Sequence, residues 1–295
     1  MKVLVTGSHG LIASALIPRL ERNGHVVTRL VRQAPRTGEL QWDPDAGTID
    51  AAGIEGHDAV VHLAGVGIGE HRWTAEHKRA VLDSRVKGTR LLSETIAGLD
   101  RKPVLVSGSA VGYYGNRGDE QLTETSAPGD DFLAEICTQW EAATAAAEAA
   151  GVRVVHLRTG IVLAKGGGAI KQMLTPFKLG IGGKIGSGRQ WFSWIHIDDE
   201  VGAILHALTH DDVRGALNAV GPNPATNAEF TKALGRALHR PTVVPVPSFG
   251  LRLLFGREMA DTMLLSGQRV LPTVLQQTGY AFAHPDLDGA LASVV

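Results

Sequence analysis

Residues 6–13 read Thr-Gly-Ser-His-Gly-Leu-Ile-Ala. They join a β-branched run, Lys2–Thr6, to residues 11–23, whose apolar positions recur at helical spacing, and residues 25–32 follow as a second strand. Strand, glycine turn, helix and strand in that order make a βαβ opening. The backbone N–H groups of such a turn, together with the helix dipole, point at whatever anion sits there. Gly7 permits the tight turn, Gly10 lets a phosphate approach the backbone, and Ala13 stands where a third glycine would serve helix-to-strand packing. Gly7, Ser8, His9, Gly10, Leu11 and Ile12 therefore form a candidate cradle for the pyrophosphate of a dinucleotide.

The same alternation continues outward. Gly24 sits where a helix C-terminus wants a left-handed residue. Residues 58–63 and 103–106 read as buried strands separated by a helix over 74–99, and Asp130 or Asp131 can cap a helix running to Ala150, ended by Gly151 before a strand over 152–157. This predicts the α/β class, a doubly wound parallel sheet of Rossmann-like type. After Arg158 the glycine runs at 166–168 and 180–188 lack periodicity and predict loop around a site. A strand at 194–197 and a helix over 198–209 return to the sheet, and proline-bounded short helices follow Gly221. The expected division is a dinucleotide-binding domain of residues 1–160 plus about 194–220, and a small substrate lobe of 161–193 plus 221–295.

The second strand ends in Val31-Arg32, where a dinucleotide site selecting NAD(H) would place an acidic residue for the ribose diol. Arg32 suits a 2′-phosphate, which favours NADP(H); its other reading is a solvated surface arginine. Leu63, Ala64 and Gly65 end the next strand at the carboxyl edge, where open α/β sheets bind ligands, and their backbone is expected to border the adenosine. His62 reads as a packed strand residue.

With 29 basic and 30 acidic side chains, a net charge of -1 and a single cysteine, Cys137, the chain offers no global field for nucleic acid or an anionic membrane, no disulfide and no cysteine-rich metal site. The apolar run after Lys2 is too brief for a signal or a membrane span, so a cytoplasmic location is expected, with a small molecule as partner.

Taken together, VTGSHGLIASAL (5–16), DAVVHLAG (58–65), RWTAEHKRAVLDSRVKGTRLL (72–92), SGSAVGYYG (107–115), GDDFLAEICTQWEAA (129–143), LRTGIVLAKGGGA (157–169), GSGRQWFSWIHIDDEVGAILHAL (186–208) and GQRVLPTVLQQTGYAF (267–282) resemble the extended short-chain dehydrogenase/reductases. Within that group the likeness is to the atypical epimerase family proteins, or nucleoside-diphosphate-sugar epimerase-like proteins. The resemblance implies a Rossmann-like domain, bound NADP(H), a characteristic C-terminal region, and a monomer or small homo-oligomer. It also implies that Arg85 reaches the cofactor, although Arg85 by itself reads as a solvated helical arginine.

Hydride-transferring members of that family use a Tyr and a Lys four residues apart on the helix after the fifth strand, the Lys⁺ lowering the Tyr pKa for acid/base work. Anchored on Glu141, the resemblance puts Leu133 and Cys137 at those positions, and neither can do that chemistry. Ser109 resembles the family's catalytic serine, though alignment on Tyr114-Gly115 would put Ala110 there. Tyr113 and Tyr114 follow, so the Tyr114 phenol is a candidate proton donor; the alternative is that both rings pack the loop. Phe192 occupies the position of the Arg that meets the diphosphate in nucleotide-sugar epimerases, with Arg189 three residues earlier. Trp191, Phe192 and Trp194 read as a pocket wall or as lobe packing, and His196 and Asp198 as structural support rather than a metal pair. The expectation is an NADP(H)-dependent oxidoreductase or epimerase-like enzyme on a small molecule. Its alternative is an NADP(H)-binding regulatory or scaffold protein without catalysis.

Overall fold

The computed structural model describes all 295 residues. In chain order it begins with β1 (Lys2–Thr6), α1 (Leu11–Arg22), β2 (Val26–Val31), β3 (Glu39–Asp43), β4 (Thr48–Ile49), α2 (Ala51–Ile54), β5 (Ala59–His62), α3 (Ala75–Gly98) and β6 (Val104–Ala110). It continues through β7 (Gln121–Leu122), α4 (Phe132–Ala142), α5 (Ala145–Ala149), β8 (Val154–Thr159), β9 (Ile161–Leu163), α6 (Gly168–Lys178), β10 (Trp191–Phe192), β11 (Trp194–His196), α7 (Ile197–Thr209) and β12 (Gly215–Ala219). The last elements are β13 (Ala225–Thr226), α8 (Asn227–Leu238), α9 (Ser248–Phe255), α10 (Arg257–Met259), β14 (Arg269–Val270), α11 (Thr273–Gln277) and α12 (Leu287–Val294).

Eight strands form one mostly parallel sheet in the order β12-β8-β6-β5-β1-β2-β3-β4. Val3 is opposite Val27 on one side and Ala59 on the other, so β1 is central. The chain moves outward from β1 to β2 and β3, then crosses back to β5 and builds in the other direction. That reversal opens a crevice at the carboxyl ends of β1 and β5, which is where doubly wound sheets take ligands. Val3, Leu4, Val5, Val60 and Val61 are fully buried, the continuous apolar run that a central parallel strand requires.

Several local expectations change. The helix expected to reach Ala150 breaks at Ala143 and Thr144, because the Thr144 hydroxyl donates to the Glu141 carbonyl at 2.7 Å and competes with the helical ladder. Asp131 is the residue that caps it, its carboxylate accepting from Ala134 N at 3.0 Å. The region expected as loop after Arg158 contains α6 between its two glycine runs. The edge pair β3–β4 was not anticipated, and it carries the buried Trp42.

The chain forms two compact units, residues 1–109, 136–157 and 201–217 in one, and 110–135, 158–200 and 218–295 in the other. Residues 110–135 and 194–200, grouped with the dinucleotide domain in the sequence reading, cluster with the second unit. The core of the first contains Leu4, Leu30, Trp42, Val60, Leu92 and Leu105; that of the second contains Ile170, Phe177, Trp194, Phe230, Leu234 and Leu291.

Candidate functional site

The turn after β1 is built around one backbone constraint. Gly7 has φ +63°, and a Cβ there would lie 2.7 Å from the Leu63 carbonyl oxygen and 2.9 Å from Ala64 N. The β1 and β5 ends are drawn together by Thr6, whose hydroxyl oxygen accepts from Leu63 N at 3.1 Å and from Ala64 N at 3.2 Å. His62 joins the same network, with Nδ1 2.7 Å from the Thr6 hydroxyl and Nε2 3.0 Å from that of Thr89. Burial pushes the His62 pKa down to about 4, so the ring is neutral and is the packed strand residue expected.

Gly10 N donates to the Gly7 carbonyl at 2.8 Å, closing the turn, and Gly10 caps α1 in an extended conformation with no side-chain cap. No acidic residue lies in the first turn of α1. The N–H groups of Leu11 and Ile12 are among the first-turn donors that have no intrahelical acceptor, so the end of α1 presents unopposed positive dipole.

A cavity of about 560 Å³ opens on this turn, and its lining includes Gly7, His9, Gly10, Arg32, Leu63 and Gly65. An adjoining cavity of about 230 Å³ adds Ser8 and shares Arg32 and Ala64. The structure thus brings together eight of the predicted cofactor-binding residues, four of them from the cradle; Leu11 and Ile12 stand half-buried behind it. Sequence reading missed Trp42, which lines both cavities from β3, and Lys87 on α3. Lys87 is engaged, 3.2 Å from Asp45 and 3.5 Å from Asp83, and these carboxylates raise its pKa. Arg32 is exposed and has no partner within the protein. It is therefore the available cation at the rim.

Arg85 is half-buried rather than solvated. Its Nη1 donates to the carbonyls of Val66 at 2.8 Å and Val81 at 3.1 Å, and its guanidinium lies 4.9 Å from the Trp140 ring centroid. A Cβ on Gly65 would come within 3.3 Å of that guanidinium, so Arg85 backs the strand end that borders the cavity.

Ser109 is buried, and its hydroxyl donates to the Glu141 carboxylate at 2.7 Å. Cys137 is a buried thiol, as expected of a small core residue. Tyr114 departs from the proton-donor reading. It is fully buried, its hydroxyl donates to Asn218 Oδ1 at 2.7 Å and accepts from Arg158 at 2.9 Å, and burial pushes its pKa up to about 12. The Arg158 guanidinium stacks 3.5 Å from the centroid of Tyr113, which meets Tyr114 edge-on at 5.3 Å, so both rings pack the loop. Tyr114→Phe is expected to lower unfolding free energy by about 1–3 kcal/mol, through the unpaired buried groups it leaves, while dinucleotide affinity stays unchanged. Denaturant unfolding beside a fluorescence titration checks both.

The three aromatics at 191–194 divide. Trp194 is core and donates through Nε1 to the Asn223 carbonyl at 3.1 Å, and Phe192 packs on Phe230 at 4.2 Å. Trp191 donates to Asp119 at 2.8 Å and lines a cleft of about 550 Å³ that includes Arg189. His196 Nδ1 accepts from Asp198 N at 3.1 Å, and His284 lies against both, its ring 3.6 Å from that of His196 and its Nε2 3.4 Å from the Asp198 carboxylate. Next to them Glu200 is fully buried, bonded to the Thr159 hydroxyl at 2.8 Å, and burial raises its pKa to about 8.

Because the folded pKa of Glu200 is raised from 4.5, the native state holds a proton that the unfolded chain releases. Its stabilising contribution is complete below pH 4.5 and is lost as pH rises to about 8. Thermal melts should show the wild type losing stability across that window relative to Glu200→Gln, whose difference curve must flatten above pH 8; a pH-independent difference would refute the assignment.

A parallel sheet with a switch point, a glycine turn closed against β5, an open helix N-terminus and a rim arginine after β2 define a Rossmann-type protein with a phosphate-binding loop. The chain belongs to the NAD dependent epimerase/dehydratase family, whose profile matches residues 3–220; residues 246–294 match a domain of unknown function, DUF1731. It is 44% identical over 301 residues to the human epimerase family protein SDR39U1, covering 100% of both chains. An epimerase family protein of Mycobacterium leprae is 45% identical over 291 residues, covering 98% of this chain and 94% of that one. The crystal structure of the human protein (isoform 2) with NADPH superposes with a TM-score of 0.90 at 40% identity, covering 100% of this chain and 99% of the other.

Proposed function

We propose that this chain binds NADP(H) along the carboxyl edge of β1, β2 and β5, and that it acts as an oxidoreductase or epimerase-like enzyme on a small molecule. The observation that carries the cofactor choice is Arg32, an exposed cation without a protein partner at the rim of the cavity that Gly7 and Gly10 line. A 2′-phosphate is the dinucleotide group that such a guanidinium selects, through paired charge-assisted bonds. The NADPH in the human relative supports the same reading. Gly7, Ser8, His9, Gly10, Leu11 and Ile12 would hold the pyrophosphate through backbone N–H groups, with Leu63, Ala64 and Gly65 beside the adenosine and Arg85 fixing that strand end. When bound, the cofactor supplies hydride transfer; the chain supplies orientation and exclusion of water.

A second reading has its own support. The helix α4 contains neither tyrosine nor lysine, the Tyr114 hydroxyl is used twice inside the protein, and the Ser109 hydroxyl is held by Glu141. A protein in which NADP(H) binding controls shape or partner choice fits these facts without a proton donor.

Fluorescence titration of the purified protein with NADPH and with NADH decides the cofactor; loss of NADPH absorbance across a panel of carbonyl compounds, together with stereoisomer formation from sugar nucleotides in the presence of NADP⁺, decides between the readings. NADPH preference with turnover supports the enzyme; the same preference with no turnover supports the regulator. Absence of binding by either dinucleotide removes both.

A further inference from the structure

His196 ends β11 and Asp198 opens α7, and two such residues alone make no metal site. The fold adds a third. His284, in the loop between α11 and α12, has its Nε2 3.4 Å from Asp198 Oδ2, while His196 Nδ1 lies 3.6 Å from the same oxygen. One nitrogen from each imidazole and one carboxylate oxygen all lie within 4.8 Å of one another.

The hydrogen bonds around this cluster set its chemistry. Ser293 donates its hydroxyl proton to the Ala290 carbonyl at 2.7 Å, so toward His196 Nε2, 3.0 Å away, its oxygen can only accept. The His196 proton is thereby fixed on Nε2, and the Nδ1 lone pair is turned to Asp198, where it accepts the backbone N–H. An imidazole that donates from its remote nitrogen and offers the other is the arrangement that metal-ligating histidines adopt. His284 is moored from the other side, its N–H donating to Asp199 Oδ2 at 2.9 Å and that of Ala283 to Oδ1 at 2.7 Å. Charge favours a cation here. The carboxylates of Asp198 and Asp199 outweigh the roughly half positive charge of the α7 N-terminus.

We propose that His196, Asp198 and His284 bind a divalent transition-metal ion of the zinc class, which ties the segment before α12 to the β11–α7 junction. Two imidazoles with one carboxylate suit zinc and its neighbours, whereas calcium and magnesium take oxygen ligands. Three protein donors leave a fourth position for water, on the side where the Asp198 side chain is 69% exposed. Tetrahedral bonds of about 2.0–2.2 Å put donor atoms roughly 3.4 Å apart, so the cluster contracts on binding. Asp198 and His284 are the side chains with room to move, and His196 Nδ1 exchanges the Asp198 N–H for the ion.

Calorimetric titration of the tag-free, EDTA-stripped full chain with zinc chloride should show one ion bound through this cluster, and cobalt(II) chloride should give the visible absorption of a four-coordinate site. His284→Ala and Asp198→Ala should each weaken zinc binding by about a hundredfold or more. Ser293→Ala, which frees the His196 tautomer without removing a donor atom, should weaken it by roughly tenfold. Zinc should raise the melting temperature of the wild type and leave that of His284→Ala unmoved, since an ion that binds only the folded chain stabilises it. The rings of His206 and His210, 3.7 Å apart on α7, are the competing chelate, and His210→Ala should bind zinc as the wild type does. Absence of zinc binding by the wild type, an affinity indifferent to His284→Ala and Asp198→Ala, its loss in His210→Ala, or calcium bound as tightly as zinc overturns the proposal.

Discussion

Gly7→Ala is expected to abolish dinucleotide binding and to destabilise the fold by about 3 kcal/mol or more, the sum of a backbone cost and a steric cost. A non-glycine residue held in the left-handed region costs about 1–2 kcal/mol. The added methyl then meets not a movable side chain but the backbone of β5's end, 2.7 Å from the Leu63 carbonyl oxygen and 2.9 Å from Ala64 N. Relief requires the β1 turn to move away from β5, which breaks the two bonds that Thr6 accepts and swings the Gly10 end of α1 out of line with the cavity. Denaturant unfolding and NADPH titration of the variant measure both effects. A wild-type midpoint with wild-type binding would show that the turn tolerates a side chain and would remove its claim to be a phosphate cradle.

Arg32→Ala is expected to weaken NADPH binding by about ten- to a hundredfold, the range of a charge-assisted hydrogen bond, with NADH binding unchanged. The asymmetry is the informative part, since only NADPH carries the phosphate. Arg32→Lys should recover part of the loss, because an ammonium offers charge without the planar fork. Raising salt should narrow the gap between wild type and variant, as the side chain is exposed and screened. Equal losses for both dinucleotides would place Arg32 elsewhere on the cofactor, and no loss for either would leave it a solvated surface arginine.

The cradle was legible because its signal is local. Five residues of extended chain, a glycine that needs positive φ and an amphipathic helix all lie within residues 2–22, and the physics linking them acts over short range. Arg32 was legible for the same reason, as the end of the next strand. Trp42 and Lys87 were not, because they reach the cavity from the next-to-last strand of the sheet and a long helix that sequence order keeps apart. The two tyrosines show a different limit. Nothing near residues 113–114 announces that Asn218 and Arg158 will meet the Tyr114 hydroxyl, 104 and 44 residues away in the chain. The α6 helix was hidden by the glycine runs on either side, which read as loop and masked the eleven residues between them.

Those distant partners bear on the order in which the molecule is made. The short strand β7 pairs with β14, and Glu124 beside it accepts from the N–H groups of Asn218 and of Val274, the latter 150 residues later. At a ribosome's rate of about 5–20 residues per second, residues 121–124 wait roughly five to thirty seconds for those partners to be made. During that interval the β1–β2–β5–β6 portion of the sheet can already close on near neighbours, whereas the segment after β6 has no lasting place to go. The second unit therefore cannot close around β7 before residues 218 and 269–274 have been made, and Leu122 lacks its β14 partner until then.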